Sequence, residues 1–120
     1  MPTLKKVIAW AMIGVAVSST LAWADDRKEA RNQVEFGIRV ATQGLWREAV
    51  YRWERAVELD PTYAAAFNNL AIAYETAGEF LKAKQAYEKA IELDPKNIYI
   101  RQNFDLFKEI NERANRQAPR

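Results

Sequence analysis

The sequence of 120 residues contains no cysteine and no histidine. The chain therefore has no disulfide, no thiol nucleophile, no zinc or haem site built from these residues, and no histidine to act as a general acid or base. Glycine and proline are scarce as well, with four residues of each. Since few tight turns are available, long helices with short connections are favoured over a many-stranded sheet.

The charged residues nearly balance, with 18 lysines and arginines against 16 aspartates and glutamates. Together with 49% hydrophobic residues, this composition is typical of a globular domain rather than of a disordered chain. The charges are dispersed along the sequence, and the arginines of the C-terminal tail are too sparse to form a basic patch. We therefore expect no nucleic-acid partner and no electrostatic footprint for anionic lipid.

Residues 1–24 have the layout of a secretory signal peptide. Lysines at 5 and 6 precede an unbroken apolar run over 7–17, and Ala22-Trp23-Ala24 then places small residues on both sides of a bulky one. A positive end, an apolar centre and a small-x-small end are the features of an export signal with a cleavage site. We predict cleavage after Ala24 and export to the periplasm or the exterior, with Asp25 as the first residue of the mature chain.

An uncleaved anchor in the inner membrane is the alternative interpretation of the same segment. Residues 7–24 are barely long enough to span a bilayer, and the polar residues Ser18, Ser19 and Thr20 dilute their apolar character. In this alternative, the chain meets the membrane only through residues 7–24.

A period of 34 residues runs through the rest of the chain. When residues 30–63 are aligned with 64–97, 11 of the 34 positions are identical, against roughly 2 expected by chance at ordinary residue frequencies. The identical pairs are Ala30/Ala64, Ile38/Ile72, Thr42/Thr76, Gly44/Gly78, Ala49/Ala83, Glu54/Glu88, Ala56/Ala90, Glu58/Glu92, Leu59/Leu93, Asp60/Asp94 and Pro61/Pro95. Repetition at this period indicates stacked supersecondary units.

Each unit is predicted to consist of two helices. In the second unit, Phe67, Leu70 and Tyr74 are spaced three and four residues apart and form one apolar stripe. Gly78 interrupts this pattern, and a second stripe follows. Asp94-Pro95 ends the second helix, because proline lacks an N–H group and disfavours helix in the residue before it.

The first unit follows the same plan in a looser form. Its stripe residues are Phe36, Gly37, Val40, Trp46, Ala49, Trp53, Ala56 and Val57, with Gly44 at the turn and Asp60-Pro61 at the end. One period later, Phe80 and Tyr87 replace Trp46 and Trp53. We therefore expect the two tryptophans to pack in the core and between repeats rather than to form a platform for a ligand.

This pattern resembles the tetratricopeptide repeat (TPR) family, in an exported member of the bacterial type. The resemblance covers residues 30–97 and rests on Leu70-Ala71-x-x-Tyr74, Ala83-x-x-x-Tyr87, Ala90 and Pro95. It implies an all-α fold, a right-handed α-solenoid of two TPR helix pairs plus a C-terminal capping helix. The corresponding divisions are a signal peptide 1–24, a lead-in 25–29, repeats 30–63 and 64–97, a capping helix 98–116 and a polar tail 117–120.

Residues 98–116 continue the register of the repeats and end it with a polar face. Phe104 falls at the position of Leu70, so we expect it to bury against the second repeat. Two positions that face the second helix within the repeats become Asp105 and Lys108 here, where no second helix follows. A helix with such a polar outer face is what ends a solenoid in water. The residues expected to supply the additional burial are Tyr99, Phe104, Phe107 and Ile110.

By the resemblance, the first helices of the repeats line a concave groove that binds an extended peptide or a helix of a partner protein. The groove positions would be Arg31, Val34, Glu35 and Ile38 in the first repeat, Ala65, Asn68, Asn69 and Ile72 in the second, and Tyr99, Gln102, Asn103 and Leu106 in the cap. An asparagine amide pairs with both the N–H and the C=O of a peptide, so Asn69 and Asn103 could hold a chain without reading its sequence. The alternative is that the asparagines are merely solvated. Because Val34 and Ile38 stand where basic carboxylate-binding residues would be needed, capture of a C-terminal carboxylate is not expected.

Catalysis is not expected either. The available acidic groups on the second helices lie next to cations rather than in a cleft, and the sequence has no glycine-rich phosphate loop. We predict a protein- or peptide-binding adaptor or scaffold with no cofactor, no metal and no small-molecule substrate. The alternative is a permanently assembled structural or assembly-factor subunit, anchored by the N-terminal segment if that segment is not cleaved.

Overall fold

In a computed structural model of the chain, the backbone is described for residues 3–119 and the side chains for residues 20–119. This part of the chain forms five helices and contains no strand: α1 (Thr3–Thr42), α2 (Trp46–Leu59), α3 (Ala64–Thr76), α4 (Phe80–Leu93) and α5 (Ile98–Gln117). The first pair is α1 with α2, the second is α3 with α4, and α5 packs on α4. The predicted all-α solenoid of two helix pairs with a capping helix is confirmed.

Glycine forms the turn inside each helix pair. Gly44 and Gly78 have φ angles of 80° and 77°, a left-handed conformation that is unfavourable for residues with a Cβ atom. After Gly44, the N–H of Leu45 donates back to the carbonyl of Val40 over 3.0 Å, and the second turn contains the equivalent bond. These bonds satisfy carbonyls that the helix end leaves open, which explains why glycine recurs at this position of the period.

Short polar side chains shape the connections between the pairs. The carboxylate of Asp60 accepts hydrogen bonds from the N–H of Thr62 (3.0 Å) and from its hydroxyl (2.6 Å). At the start of α5, the side-chain oxygen of Asn97 accepts from the N–H groups of Tyr99 (3.1 Å) and Ile100 (3.3 Å). Asn97 is thus an N-terminal cap, which satisfies donors that have no partner inside the helix.

The helices of the first pair approach each other most closely where Gly37 faces Trp53. A Cβ atom placed on Gly37 would collide with the indole, lying 2.8 Å from Cδ1 and closer still to Nε1. The indole Nε1 donates a hydrogen bond to the carbonyl of Val34 over 3.2 Å, and Trp53 is only 3% exposed. One period later, the same two positions hold Ala71 and Tyr87. A larger ring therefore goes with a smaller partner in the first repeat.

Contacts between successive units use a pair of positions that the stripe pattern did not single out. In α3 these positions hold Ala66 and Ala73, and in α5 they hold Ile100 and Phe107, all buried. In α1, where no unit precedes, the corresponding residues are Asn32 and Arg39, both exposed. The N-terminal edge of the solenoid is thus polar at the positions through which the other units stack.

The capping helix joins the second pair through an aromatic cluster of Phe80, Tyr87, Phe104 and Phe107. The ring of Phe104 stacks on that of Tyr87 with a centroid distance of 5.6 Å, and Phe107 lies 5.4 Å from Tyr87. On the outer side of α5, Lys108 pairs with Asp105 over 3.0 Å, and both are exposed. The packing of Phe104 on the second repeat and the polar outer face agree with the prediction.

Several aromatic and aliphatic residues are less buried than predicted. Trp46 is 39% exposed because it begins α2 beside the turn, where fewer neighbours surround it. Phe36 is 36% exposed because no preceding repeat covers it, and the guanidinium of Arg52 lies over its ring at 4.3 Å instead. In the cap, Tyr99 and Ile110 are exposed and do not supply the expected burial.

The N-terminal part of α1 extends beyond the packed repeats. Residues 20–29 are all exposed, and Ala30 is the first buried residue among those whose side chains are described. Residues 25–29, expected as a lead-in to the first helix, are helical, and Gln117 of the expected tail ends α5. The side chains of the expected signal peptide up to residue 19, including its apolar run, lie outside the described residues. Within the described part of the chain, no helix combines the length and the apolar character needed to cross a membrane.

Candidate partner-binding face

The first helices of the units form one side of the solenoid, which we call the groove face. It consists of the exposed and half-buried residues Glu35, Ile38, Asn68, Asn69, Ile72, Tyr99, Gln102, Asn103 and Leu106 on α1, α3 and α5. Between α1 and α3 it contains a depression of about 240 Å³ that is lined mostly by apolar side chains. The lining residues are Ile38, Ala41, Thr42, Trp46, Trp53, Asn69 and Ile72.

An aliphatic row crosses the groove face in the register of the repeat. Ile38, Ile72 and Leu106 occupy the same position of successive first helices. Ile38 is 46% and Leu106 is 56% exposed, whereas Ile72 lies half-buried between them. Because apolar side chains are costly to leave in water, a row of them in register is a surface suited to a partner with apolar side chains of its own.

The predicted asparagines differ in their availability. The amide of Asn103 donates a hydrogen bond of 3.2 Å to the side-chain oxygen of Asn68, which ties α5 to α3. Asn69 instead borders the depression, beside Ile38 and Ile72. Thus Asn69 offers its amide to a ligand, while Asn68 and Asn103 already use part of their hydrogen-bonding capacity on each other.

The prediction that Val34 lines the groove is wrong. Its side chain is 4% exposed and belongs to the hydrophobic core, and its carbonyl accepts the Trp53 hydrogen bond. The reason is chemical: an apolar side chain gains free energy by turning into the core, whereas Asn68, one period later, stays half-buried. Glu35 and Gln102 are exposed as predicted, and Tyr99 lies at the far end of the face, also exposed.

Two tyrosine–glutamate pairs lie between the helices. The hydroxyl of Tyr87 donates to Glu75 over 3.0 Å, and the hydroxyl of Tyr74 donates to Glu54 over 3.2 Å. Burial, followed by the adjacent carboxylate, raises the pKa of both phenols, that of Tyr74 to about 12. Both phenols are therefore neutral donors at physiological pH, which suits a structural role rather than proton transfer.

Trp46, at the start of α2, also borders the depression, whereas sequence analysis assigned it only to packing. It borders the depression at the end of α1 and also a second one beside the end of α3. The available signal was the aromatic residue that recurs just after the glycine turn, Trp46 and then Phe80. Among the described residues, no cluster of acidic side chains could hold a metal ion.

Comparison with known proteins agrees with the repeat pattern. The family signature described as tetratricopeptide repeat matches residues 64–97, and the one described as TPR repeat matches residues 41–78. The crystal structure of MamA superposes with a TM-score of 0.65 at 30% sequence identity, over 70% of this chain and 49% of the MamA chain. This chain therefore spans about half the length of that structure, and no curated protein sequence matches it significantly. The repeat period, the two family signatures and the shared fold show that the chain belongs to the tetratricopeptide repeat family.

Proposed function

We propose that this chain is an exported adaptor or scaffold that binds a protein or an extended peptide on its groove face. Tetratricopeptide repeats generally mediate protein–protein interactions and scaffolding, and they are generally non-enzymatic. Export is proposed from the signal-like residues 1–24, with the periplasm or the exterior as the destination. The proposed partner is a protein, not a nucleic acid or a small-molecule substrate.

The aliphatic row of Ile38, Ile72 and Leu106 is the observation that carries this proposal. Helices present the row, so the protein side loses little conformational freedom on binding. Asn69 lies beside the row and can pair with the backbone of a bound chain. An apolar surface with one well-placed amide favours a partner held by side-chain burial, with modest sequence selectivity and an affinity of about micromolar.

A permanently assembled subunit anchored in the inner membrane is the second candidate. It is supported by the continuity of α1, which runs unbroken through Ala22-Trp23-Ala24 into the first repeat. In that arrangement the same helix would connect the membrane segment to the repeats. A soluble monomer after export supports the adaptor, whereas a chain that remains in washed membranes supports the anchored subunit.

The groove is tested by recovering partners of the chain from the exported fraction and measuring their binding by titration calorimetry. The variant Ile38→Ser/Leu106→Ser removes two exposed members of the row. We expect at least a tenfold loss of affinity, because the two serines replace buried apolar contact area in the complex. Asn69→Ala is expected to cost about 1–3 kcal/mol if its amide pairs with the bound backbone.

Leu81→Ser is the matched control, because Leu81 is an equally apolar exposed side chain on α4, away from the groove face. It should bind like the parent, and thermal melts should show that all variants fold. If the double variant keeps the parent affinity for the recovered partner, the groove face is not the working surface.

A further inference from the structure

The exposed part of α1 carries its positive charges on one side. Residues spaced three and four apart border one continuous surface, which we call the cationic stripe: Thr20, Trp23, Ala24, Arg27, Lys28 and Arg31. At about 3.6 residues per turn, the acidic residues of the same segment, Asp25, Asp26 and Glu29, fall on the opposite half of the helix. The helix thus separates charges that balance along the sequence.

The three cations of the stripe are unpaired. Arg27, Lys28 and Arg31 are exposed, and none of them forms an ion pair within residues 20–119. On the other side, Glu29 accepts hydrogen bonds from Gln33 (2.7 Å) and Asn32 (3.3 Å). Positive charge is therefore free on the stripe, and part of the opposing negative charge is already engaged.

We propose that the cationic stripe contacts the anionic lipid headgroups of a membrane surface. Lysine and arginine near such a surface are attracted by its negative potential. Trp23, on the same stripe, is 67% exposed, and tryptophan is the side chain that favours the membrane–water interface. In the sequence, the apolar run 7–17 directly precedes the stripe.

The position of the stripe fits this contact. Residues 20–29 are all exposed, so most of the stripe lies outside the core, with Trp23 and Arg27 at its edge toward the connection between α2 and α3. Arg31, Glu35 and Ile38 follow one another at four- and three-residue spacing, so the stripe continues along α1 into the groove face. All three cations lie after Ala24 and remain in the chain whether or not cleavage occurs, whereas Trp23 and the apolar run belong only to the uncleaved chain, in which the contact is proposed.

An acidic protein is the competing occupant of the stripe, and two observations favour lipid over it. Trp23 lies about one turn before Arg27 on the same stripe, and the apolar run 7–17 lies upstream on the same chain. An acidic protein partner would require neither feature. We expected no footprint for anionic lipid because the charges balance along the sequence. The helical period places the cations of this segment on one side of α1, which creates a local positive surface.

The proposal is tested with the full chain in vesicles of phosphatidylcholine, alone or mixed with phosphatidylglycerol. The acylation rate of the Lys28 amine is measured by mass spectrometry, with Lys84 on α4 as the internal reference. We expect Lys28 to react several-fold more slowly on the anionic vesicles, with no such difference at Lys84. Salt at about 1 M should abolish the protection, because it reduces the screening length to about 3 Å.

Arg27→Gln/Arg31→Gln should remove most of this protection, since each cation near an anionic surface contributes about a fivefold effect. Arg47→Gln/Arg116→Gln, which removes two exposed arginines from other helices, should retain it. Circular dichroism shows that both variants keep their helices. Equal Lys28 rates on the two vesicle types overturn the proposal, and so does protection that survives in Arg27→Gln/Arg31→Gln. If the Lys28 rates are equal on the two vesicle types and an acidic protein binds the parent chain but not Arg27→Gln/Arg31→Gln, the stripe is a protein-binding face instead.

Discussion

At the scale of single residues, the contact between Gly37 and Trp53 determines how closely the first helix pair packs. The indole occupies the volume that a Cβ atom on residue 37 would need, and its N–H is satisfied by the Val34 carbonyl. In the second repeat, the equivalent positions hold Ala71 and Tyr87, a larger small residue and a smaller ring. The two residues of each pair are thus matched in size, and neither can be enlarged alone.

Gly37→Ala is therefore expected to destabilise the chain by about 1–3 kcal/mol, the usual cost of overpacking a core. The new methyl group must displace the indole, which also weakens its hydrogen bond to Val34. Chemical denaturation of the parent and the variant measures the difference in the free energy of unfolding.

The double variant Gly37→Ala/Trp53→Tyr supplies the control, because it reproduces the residue pair of the second repeat. It should recover part of the stability lost in Gly37→Ala. A Gly37→Ala chain as stable as the parent would show that the first pair can widen without cost.

Tyr74 gives a prediction about alkaline pH. Its pKa is about 12 in the folded chain and about 10 when unfolded, so the folded state holds the phenolic proton more tightly. The stabilisation is fully present below pH 10 and is lost as the pH rises through about 12. Denaturation between pH 9 and 12 should show a decline that is shallower in Tyr74→Phe. Tyr99→Phe, at an exposed tyrosine, controls for the loss of a phenol, and an unchanged decline in Tyr74→Phe would contradict the prediction.

At the scale of helices, α5 stabilises the second pair by covering it. Ile100 and Phe107 are buried, and the rings of Phe104 and Phe107 pack on Tyr87. Two repeats alone are fewer than the number usually needed for a stable array, so the cap contributes burial that a third repeat would otherwise provide. Removal of residues 98–120 should therefore cost several kcal/mol, comparable to the whole stability of a small domain.

Phe107→Ala tests this role with a single change. We expect a loss of about 3–5 kcal/mol, the range for truncating a buried phenylalanine. Phe36→Ala is the matched control, because Phe36 is partly exposed at the uncovered N-terminal edge and should cost less. Thermal or chemical unfolding provides the comparison, and equal losses at the two positions would show that the cap is not the main covering element.

The helices were predictable to different degrees. The period of 34 residues predicts both pairs, the glycine turns and the buried alanines, because spacing alone determines which side of a helix a residue occupies. Exposure at the end of the array, as at Phe36, depends on which neighbours are missing, and exposure beside a turn recurs at Trp46 and Phe80. On the groove face, the register of Ile38 with Ile72 was evident from sequence. The inward turn of Val34 and the pairing of Asn68 with Asn103 depend on side-chain packing that spacing does not describe.

At the scale of the whole molecule, α1 combines two parts with different relations to the fold. From Ala30 onward it packs in the first repeat, whereas residues 20–29 are exposed and only border the connection between α2 and α3 through Trp23, Asp26 and Arg27. A helical segment that buries no side chain opens locally at little cost in free energy. The unbroken helix through Ala22-Trp23-Ala24 is therefore no barrier to a protease that requires an open chain.

The last prediction follows from this division. N-terminal sequencing of exported material should begin at Asp25. The chain that starts there should unfold at nearly the same temperature as the full chain, because cleavage after Ala24 leaves the buried residues from Ala30 onward in place. A chain that starts at Glu35 is the control: it lacks Ala30 and Val34, both buried, and should be clearly less stable. Full-length protein in washed membranes, with no shorter form, would show that the segment is retained as an anchor. A melting temperature that falls sharply on removal of residues 1–24 would show instead that the N-terminal part of α1 supports the repeats.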